Sequence, residues 1–196
     1  MRPAVGLDIP TMAGLNRAVL EGGFHLVKDD ELQVFADEAA FRAHVQAMLA
    51  ARDAARASTG QRKGYLANLI CEPDELQARW EIACTLGVDA VLVAPGIQGL
   101  GTLATLARQK RMPILAHNTF SDLLTRHPDW GIAHPVLSGL YESFGADWIV
   151  TSGEYGASDG VGMDDAWPFG RPQRAMPILQ GGKSPEGLPT FRAAIG

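Results

Sequence analysis

One lysine stands directly before three acids in the stretch GGFHLVKDDELQ, residues 22–33. If the apolar run before them is a strand, its side chains alternate between two faces. Lys28 and Asp30 then share a face, and Glu31 follows on the turn. A lysine ammonium cannot bind a metal, but a lysine amine that captures CO2 becomes a carbamate and acts as a further carboxylate. Carbamate, Asp30 and Glu31 would offer Mg²⁺ three oxygen ligands. The alternative is an ion pair between Lys28 and an acid at a strand end.

A second candidate is the glycine-containing turn QGGKSPEG at 180–187, which has the pattern of an anion site. Gly181 and Gly182 leave a predicted strand, Lys183 follows, and a proline stands at the start of the next predicted helix. Backbone N–H groups at such a turn, together with the helix dipole, bind phosphate in many barrels. The alternative is an ordinary strand–helix turn with Lys183 in solvent.

Two further polar residues end predicted strands. His117 is either an acid–base or substrate-positioning residue or a buried, hydrogen-bonded histidine. Asn68 is likewise either a substrate-binding residue or a structural polar group. The other histidines are expected to be structural or outward-facing, and they are His25, His44, His127 and His134.

These residues must be positioned by strands, which alternate along the chain with segments of helical pattern. The predicted strands are AVGLDI (4–9), FHLVKD (24–29), KGYLANLI (63–70), AVLVAP (90–95), PILAHN (113–118), DWIVTS (147–152) and MPILQG (176–181). Helical patterns lie around 11–22, 38–57, 73–86, 99–110, 134–144 and 185–194. Continuously apolar strands that alternate with helices indicate a parallel sheet buried on both faces.

Two architectures agree with such a sheet, an open doubly wound sheet and a (β/α)8 barrel. The first predicted strand is not followed by a glycine-rich dinucleotide fingerprint, which weakens the doubly wound option. Polar residues end many strands, as on the active face of a barrel, namely Asp8, Lys28, Asn68, His117, Ser152 and Gln180. The sequence therefore predicts an α/β fold of the TIM type, present as about seven βα units in an incomplete barrel.

Composition places the chain among ordinary globular proteins, with 46% hydrophobic and 20% charged residues. The net charge of −5 argues against a nucleic-acid or anionic-membrane partner, since both need clustered Lys and Arg. The sequence contains no apolar run of about 18 residues, the length that can span a bilayer. Cys71 and Cys84 have neither metal-site spacing nor a disulfide framework, so we expect a cytoplasmic protein.

Several motifs, in order along nearly the whole chain, resemble the RuBisCO large-chain superfamily. They include RPAVGLDIP, GLNRAVLEGGFHLVKDDE, RKGYLANLI, MPILAHN and GIAHPVLSGLYESFGADWIV. In that family GG-x-x-x-x-K-D-D-E carries a carbamylated lysine and magnesium ligands. The resemblance therefore implies a carbamate at Lys28, ligands at Asp30 and Glu31, and the family's active-site histidine at His117. The family's K-G-x-x-x-N is matched by Lys63, Gly64 and Asn68.

The departures from the family's carboxylases concern the groups that carry out carboxylation. Where the carboxylases read Ile-Lys-Pro-Lys after the first strand, this chain reads Ile9-Pro10-Thr11, without either lysine. Asn118 stands at the position of the arginine that grips a phosphate, and the loop GEYGASDGVG lacks the family's mobile-loop lysine. Gln180 replaces the serine before the Gly-Gly turn. The chain therefore resembles the RuBisCO-like proteins, which enolise, isomerise or decarboxylate other phosphorylated sugars.

The resemblance implies a magnesium-dependent enzyme, with CO2 held as the lysine carbamate, that acts on a phosphorylated sugar or keto acid. His117 and Lys28 would be its catalytic residues. Substrate or phosphate would be contacted by Asn68, Asn118, Gly181 and Gly182. Three alternatives stay open: a ribulose-bisphosphate carboxylase, a Schiff-base lyase of the aldolase type with Lys28 as nucleophile, and a non-catalytic remnant that binds a metabolite.

The resemblance implies that residues 1–196 correspond to the family's C-terminal barrel domain. We expect the preceding α/β domain and the last βα unit of that family to be absent from this chain. In the family the active site lies between subunits, so the resemblance implies a homodimer in the full-length parent. The chain by itself would then lack half of its active site.

Overall fold

The computed structural model describes residues 6–125, 129–151 and 174–179 of the chain. In chain order its elements are α1 (Ile9–Glu21), β1 (Leu26–Lys28), α2 (Glu38–Thr59), β2 (Gly64–Asn68), α3 (Leu76–Leu86), β3 (Ala90–Val93), α4 (Pro95–Gln98), α5 (Leu100–Gln109), β4 (Ile114–Ala116), α6 (Asp122–Thr125), α7 (His134–Ser143), β5 (Trp148–Thr151) and β6 (Met176–Leu179). Five predicted helices are confirmed, with ends that differ by a few residues, and the one around 185–194 lies outside the described residues. Within the described ranges, no helix is long and apolar enough to cross a membrane.

The six strands form one parallel sheet in which spatial order follows chain order, β1-β2-β3-β4-β5-β6. Each strand pairs with the next, so that Leu26 lies beside Gly64 and Leu66 beside Ala90. An open doubly wound sheet reverses its strand order at a switch point, whereas a barrel adds each βα unit beside the last. The α/β fold and the incomplete TIM-type barrel are therefore confirmed, with six strands among the described residues rather than seven.

The predicted first strand, AVGLDI at 4–9, is wrong over the part that the structure describes. That part contains no strand, and α1 begins at Ile9. The Asp8 side chain caps this helix by accepting the Thr11 N–H at 2.9 Å, and Pro10 has a φ suited to the first turn. The capping pattern outweighs the apolar run that suggested a strand. The start of the stretch lies outside the described residues.

Apolar side chains cover both faces of the sheet. On the outer face, Tyr65 and Val91 belong to the large core that the helices cover. The inner face carries a smaller cluster of Leu66, Ala90, Leu92, Leu115 and Val150. Because side chains alternate along a strand, Lys28, Asn68 and His117 share the inner parity with that cluster. All three end their strands at the same edge of the sheet, so the fold directs them toward one place.

Helix α2 connects β1 to β2 and therefore runs along the outer layer from one edge of the sheet to the other. Asp37 starts it by accepting the Ala40 N–H at 2.7 Å. Gly60 ends it with a φ of 65°, a left-handed value that glycine adopts without steric cost. Its buried face includes Phe41, His44, Val45, Met48 and Arg52. His44 and Arg52, the polar members of that face, contact carboxylates at opposite edges of the sheet.

At the N-terminal edge of the sheet, Asp89 joins α2 to β2 and β3. Its Oδ2 accepts from Arg52 Nη1 at 2.6 Å and from the Tyr65 N–H at 3.0 Å. Its Oδ1 accepts from Arg56 Nη2 at 2.7 Å, and Arg56 Nε donates to the Lys63 carbonyl at 2.7 Å. This network lies opposite the predicted site, at the edge where barrels place residues for stability.

Candidate active site

Lys28 ends β1 with one third of its side chain exposed, at the C-terminal edge of the sheet. Its Nζ lies 3.3 Å from Glu31 Oε2 and donates to the Asp29 carbonyl at 3.1 Å. The amine therefore contacts an acid and a backbone carbonyl, on a side chain that is only partly buried.

His117 brings a second nitrogen to the same acid from the end of β4. Its Nε2 lies 3.5 Å from Glu31 Oε2, and the residue is only 4% exposed. Its Nδ1 accepts the Thr119 N–H at 3.2 Å and lies 2.6 Å from Thr119 Oγ1. Because Nδ1 is an acceptor, a neutral ring carries its proton on Nε2, toward Glu31. His117 is therefore buried and hydrogen-bonded and lies beside Glu31, and its role in moving a proton or positioning a substrate stays a prediction.

Glu31 is where these contacts meet. Burial by itself raises the pKa of its carboxyl, but the Glu31 backbone N–H, His117 and the Lys28 ammonium together hold the pKa below its ordinary value. The carboxylate is therefore ionised at neutral pH. That is the form that binds a divalent cation.

Asp30 and the residues after it form a turn that Asn68 holds from β2. Asp30 is 3% exposed, and its Oδ1 accepts the Leu32 N–H at 3.0 Å. The fully buried Asn68 amide donates to the carbonyls of Asp30 and Gln33, each at 3.1 Å. Its Oδ1 accepts the Ile70 N–H at 2.9 Å. These contacts are structural, and a direct role of Asn68 in binding stays a prediction.

Asp29, the first of the three consecutive acids, faces the opposite way. It is 3% exposed, and its Oδ1 lies 2.9 Å from His44 Nε2. Its Oδ2 accepts the Tyr65 hydroxyl at 2.6 Å and the Asn68 N–H at 3.2 Å. Asp29 has no predicted role, and His44 is predicted to be structural. Strand alternation was the available signal, because it gives Asp29 the outer parity, toward α2.

The donor set fits magnesium only if Lys28 takes part. Among the described residues, no group of three or more His, Cys, Asp and Glu side chains could hold a metal ion. Asp30 and Glu31 supply two carboxylates, and Lys28 Nζ lies near one of them. A carbamate on that nitrogen would add a third oxygen donor, and Mg²⁺ prefers oxygen donors. The residues present therefore fit a carbamate-assisted site.

The loop after β4 is shaped by its own residues. Phe120 has a φ of 71°, a left-handed value that is uncommon for a bulky residue, and it is 55% exposed. Gly96 packs so closely against this loop that an added Cβ would lie 2.7 Å from the Thr119 carbonyl oxygen. Asn118 is half-buried next to His117. Backbone conformations of this kind are often kept at functional sites.

The predicted site residues fall into two groups. The structure brings one group to a single edge of the sheet, and it consists of Lys28, Asp30, Glu31, Asn68 and His117, with Asn118 beside them. The predicted phosphate turn at Gly181 and Gly182 lies outside the described residues, as do the strand-end residues Ser152 and Gln180. The chemical roles of both groups stay predictions.

The sequence is similar to known proteins along most of its length. A family model of the ribulose bisphosphate carboxylase large chain, catalytic domain, matches residues 1–166. Over 78% of its length the chain is 30% identical to 2,3-diketo-5-methylthiopentyl-1-phosphate enolase from Bacillus velezensis, and it covers 39% of that protein. The chain spans about half the length of other curated relatives that it matches.

Solved structures are similar to this fold over the whole described chain. A rubisco-like protein from Alicyclobacillus acidocaldarius has a TM-score of 0.86 at 30% identity, covering 98% of this chain and 50% of that one. A dimeric archaeal Rubisco from Hyperthermus butylicus has a TM-score of 0.82 at 24% identity, covering 100% and 51%. At that lower identity the likeness concerns the fold alone. Because the family model matches most of the sequence, the chain belongs to the ribulose bisphosphate carboxylase large-chain family.

Proposed function

We propose that the chain is the barrel part of a RuBisCO-like enzyme that removes a proton next to the carbonyl of a phosphorylated sugar or keto acid. The observation that carries this proposal is the convergence of Lys28 and His117 on Glu31. Glu31 Oε2 lies 3.3 Å from the lysine nitrogen and 3.5 Å from the imidazole nitrogen. Enolisation, isomerisation and decarboxylation of such substrates all require stabilisation of negative charge at this kind of site.

The metal platform would consist of the Lys28 carbamate, Asp30 and Glu31. When bound there, Mg²⁺ supplies positive charge that stabilises negative charge on substrate oxygens. Asp30 is oriented by the Leu32 N–H, and Glu31 stays ionised under the influence of its neighbours. The platform would therefore have two carboxylates, and reaction of the neutral Lys28 amine with CO2, with release of a proton to solvent, would add the third oxygen donor.

His117 would position the substrate or move a proton at Nε2. The Thr119 N–H keeps Nδ1 as an acceptor, so Nε2 is the donor on the side of the metal platform. The burial of the ring limits its contact with bulk water. The lysine that removes the substrate proton in the carboxylases is missing from Ile9-Pro10-Thr11, so a different base would remove it.

A substrate with a single phosphate agrees best with the residue changes. Asn118 carries no charge where the carboxylases have a phosphate-gripping arginine, whereas Gly181, Gly182 and Lys183 keep the pattern of an anion turn. The relative from Bacillus velezensis is named for a substrate with one phosphate. Carboxylation of a bisphosphate is less well supported, because the groups that serve it are absent from the sequence.

We expect the protein to be a cytoplasmic homodimer. The relative from Hyperthermus butylicus is described as dimeric. A partner subunit would complete the site at the same edge of the barrel that carries Lys28 and His117.

The test is ¹³C NMR of the purified 196-residue chain in ¹³C-bicarbonate, with and without Mg²⁺. We expect a Mg²⁺-dependent carbamate signal that Lys28→Ala removes. The matched control is Lys110→Ala, which removes an exposed lysine away from the site and should leave the signal unchanged. A chain that unfolds cooperatively but gives no such signal would contradict the metal platform.

Borohydride trapping separates the proposal from a Schiff-base lyase. Borohydride reduces an imine between substrate and lysine to a stable amine, so a Schiff-base enzyme would retain substrate on Lys28. A carbamate site does not form that imine. We therefore expect no trapped adduct at Lys28 with phosphorylated ketoses.

A further inference from the structure

Three consecutive acids follow Lys28, and of these Asp30 shares its face by strand alternation, whereas Glu31 reaches Lys28 Nζ from the turn at 3.3 Å. Asp29 and Asp30 are adjacent, so in extended backbone their side chains point to opposite sides. Asp29 points to the helix layer, where it is 3% exposed. The direction that Asp29 takes therefore fixes the direction of its two neighbours.

Three hydrogen-bond donors hold Asp29 in that direction. The Tyr65 hydroxyl lies 2.6 Å from Oδ2, and the Asn68 N–H lies 3.2 Å from the same oxygen. His44 Nε2 lies 2.9 Å from Oδ1. Tyr65 and His44 are 0% and 1% exposed, so these bonds are shielded from water. A buried carboxylate is stable only when such donors satisfy it.

The donors come from two elements. Tyr65 and Asn68 belong to β2, and His44 belongs to α2. The His44 ring also packs against Phe35, with ring centroids 5.0 Å apart. Asp29 begins the loop between β1 and α2, and Phe35 lies near the end of that loop. The contacts of Asp29 therefore tie the start of the loop to both the sheet and the helix layer.

We propose that His44 and Tyr65 are positioning residues, which hold Asp29 away from the metal platform and thereby aim Lys28, Asp30 and Glu31 toward it. This inference rests on the proposed function, because it concerns the same platform. Without these donors the buried Asp29 carboxylate is destabilised and turns out of the core. It would then compete with Glu31 for the Lys28 ammonium. The platform would then lose its geometry while the fold persists. Residues that orient metal ligands typically change metal affinity about 10–100-fold when they are removed.

The test measures the Mg²⁺ concentration at which the ¹³C carbamate signal of the full chain is half-maximal. Tyr65→Phe removes one hydroxyl and keeps the ring, so it is the deciding variant. We expect its half-maximal Mg²⁺ concentration to rise about tenfold. His44→Leu should give a similar rise, and His44→Gln, which keeps an N–H donor, should recover much of it. The signal is divided by the folded fraction, measured by circular dichroism.

The matched control is Tyr141→Phe. Tyr141 is 3% exposed, and its hydroxyl lies 3.0 Å from Ser121 Oγ, so this variant also removes one buried hydroxyl bond. Both phenylalanine variants should lower Tm by a similar amount. Only Tyr65→Phe should change the Mg²⁺ dependence, which a purely structural role would leave unaltered.

Two results would overturn the inference, and they are distinguishable. If the unaltered chain forms a Mg²⁺-dependent carbamate at Lys28 and Tyr65→Phe leaves its Mg²⁺ dependence unchanged, the positioning role is wrong and the proposed function stands. If the unaltered chain forms no such carbamate, the proposed function fails, and the positioning role fails with it.

Discussion

The two ends of α2 hold carboxylates in different ways. Near its start, His44 contacts Asp29 at the edge of the sheet that carries the candidate site. Two turns further on, Arg52 contacts Asp89 at the opposite edge, and Arg56 contacts the same carboxylate. Asp29 is held by an imidazole, a phenol and a backbone amide, whereas Asp89 is held by two guanidinium groups and a backbone amide.

The difference follows from what each edge must do. Two guanidinium groups neutralise Asp89 and bind it strongly, which suits an edge whose task is to hold the fold together. An arginine beside Asp29 would place a fixed positive charge next to a site proposed to bind a cation. Asp29 is held instead by donors that carry no permanent positive charge. Mutations at the two edges should therefore separate stability from metal binding.

The largest effect on stability is expected from Asp89→Ala. It removes an acceptor that Arg52, Arg56 and the Tyr65 N–H share, and removal of one partner from such a network costs about 3 kcal/mol of unfolding free energy. Urea unfolding followed by circular dichroism measures this loss. The Mg²⁺ dependence of the carbamate signal, corrected for folded fraction, should not change.

Asp53→Ala provides the control for Asp89. Asp53 also contacts both arginines, but its side chain is 58% exposed, and exposed ion pairs contribute little. An equal loss of stability in the two variants would contradict the special role of the Asp89 network. A changed Mg²⁺ dependence in Asp89→Ala would contradict the separation of the two edges.

A smaller loss of stability, with a change in metal binding, is expected from Asn68→Ala. The variant removes the donors to the Asp30 and Gln33 carbonyls and the acceptor of the Ile70 N–H, which should cost about 2 kcal/mol. Because the turn carries two predicted ligands, the half-maximal Mg²⁺ concentration should rise as well. Urea unfolding and the ¹³C titration measure the two effects. A variant that loses substrate affinity but keeps both properties would instead assign Asn68 to substrate binding.

The smallest change in stability near neutral pH is expected from the ionisation of two half-buried thiols. Burial raises the pKa of Cys71 to about 11 from an ordinary value of 9.0, and it also raises the pKa of Cys84. The thiolate reacts with alkylating agents, so at pH 8 Cys71 should react roughly 100-fold more slowly in the folded chain than in urea. Since the fold favours the protonated thiol, its contribution to stability falls as pH rises from 9.0 to about 11.

Cys71 also tests the difference between the two edges of the sheet. It follows β2 at the edge that carries the candidate site, whereas Cys84 lies near the C-terminal end of α3. Alkylation of Cys84→Ser isolates Cys71. Its rate should rise in an Asn68→Ala background, because the adjacent Ile70 loses a hydrogen bond, and stay constant with Asp89→Ala. Equal acceleration in both backgrounds would indicate that the two edges open together.

Much of the fold was predictable because strands and helices differ in the local spacing of their apolar residues. The strands around Lys28, Asn68 and His117 were found from their apolar runs, and their order in the sheet follows from the rule for barrels. The predicted first strand failed because Asp8 and Pro10, a helix cap and a first-turn residue, were interpreted as the end of a strand. The local capping signal outweighs the short apolar run before it.

The site was predictable where a motif is contiguous and not where contacts join distant residues. Lys28, Asp30 and Glu31 follow one another, so one resemblance identified all three. The contacts of Asp29 with His44 and Tyr65 depend on how α2 and β2 pack, and spacing along the chain does not encode that packing. The hydrogen bonds from the Asn68 amide to the Asp30 and Gln33 carbonyls likewise depend on the path of the loop after β1.

The position of His44 and Arg52 on one helix limits how the length of this segment can change. They lie roughly two turns apart, which is about 12 Å along the helix axis. Insertion of a single residue between them would rotate one relative to the other by about 100° and lengthen the span by about 1.5 Å. One carboxylate would then lose its partner, whichever end stayed in place. Substitutions on the exposed face of α2 can accumulate, but a change in the number of residues between these two positions cannot be absorbed.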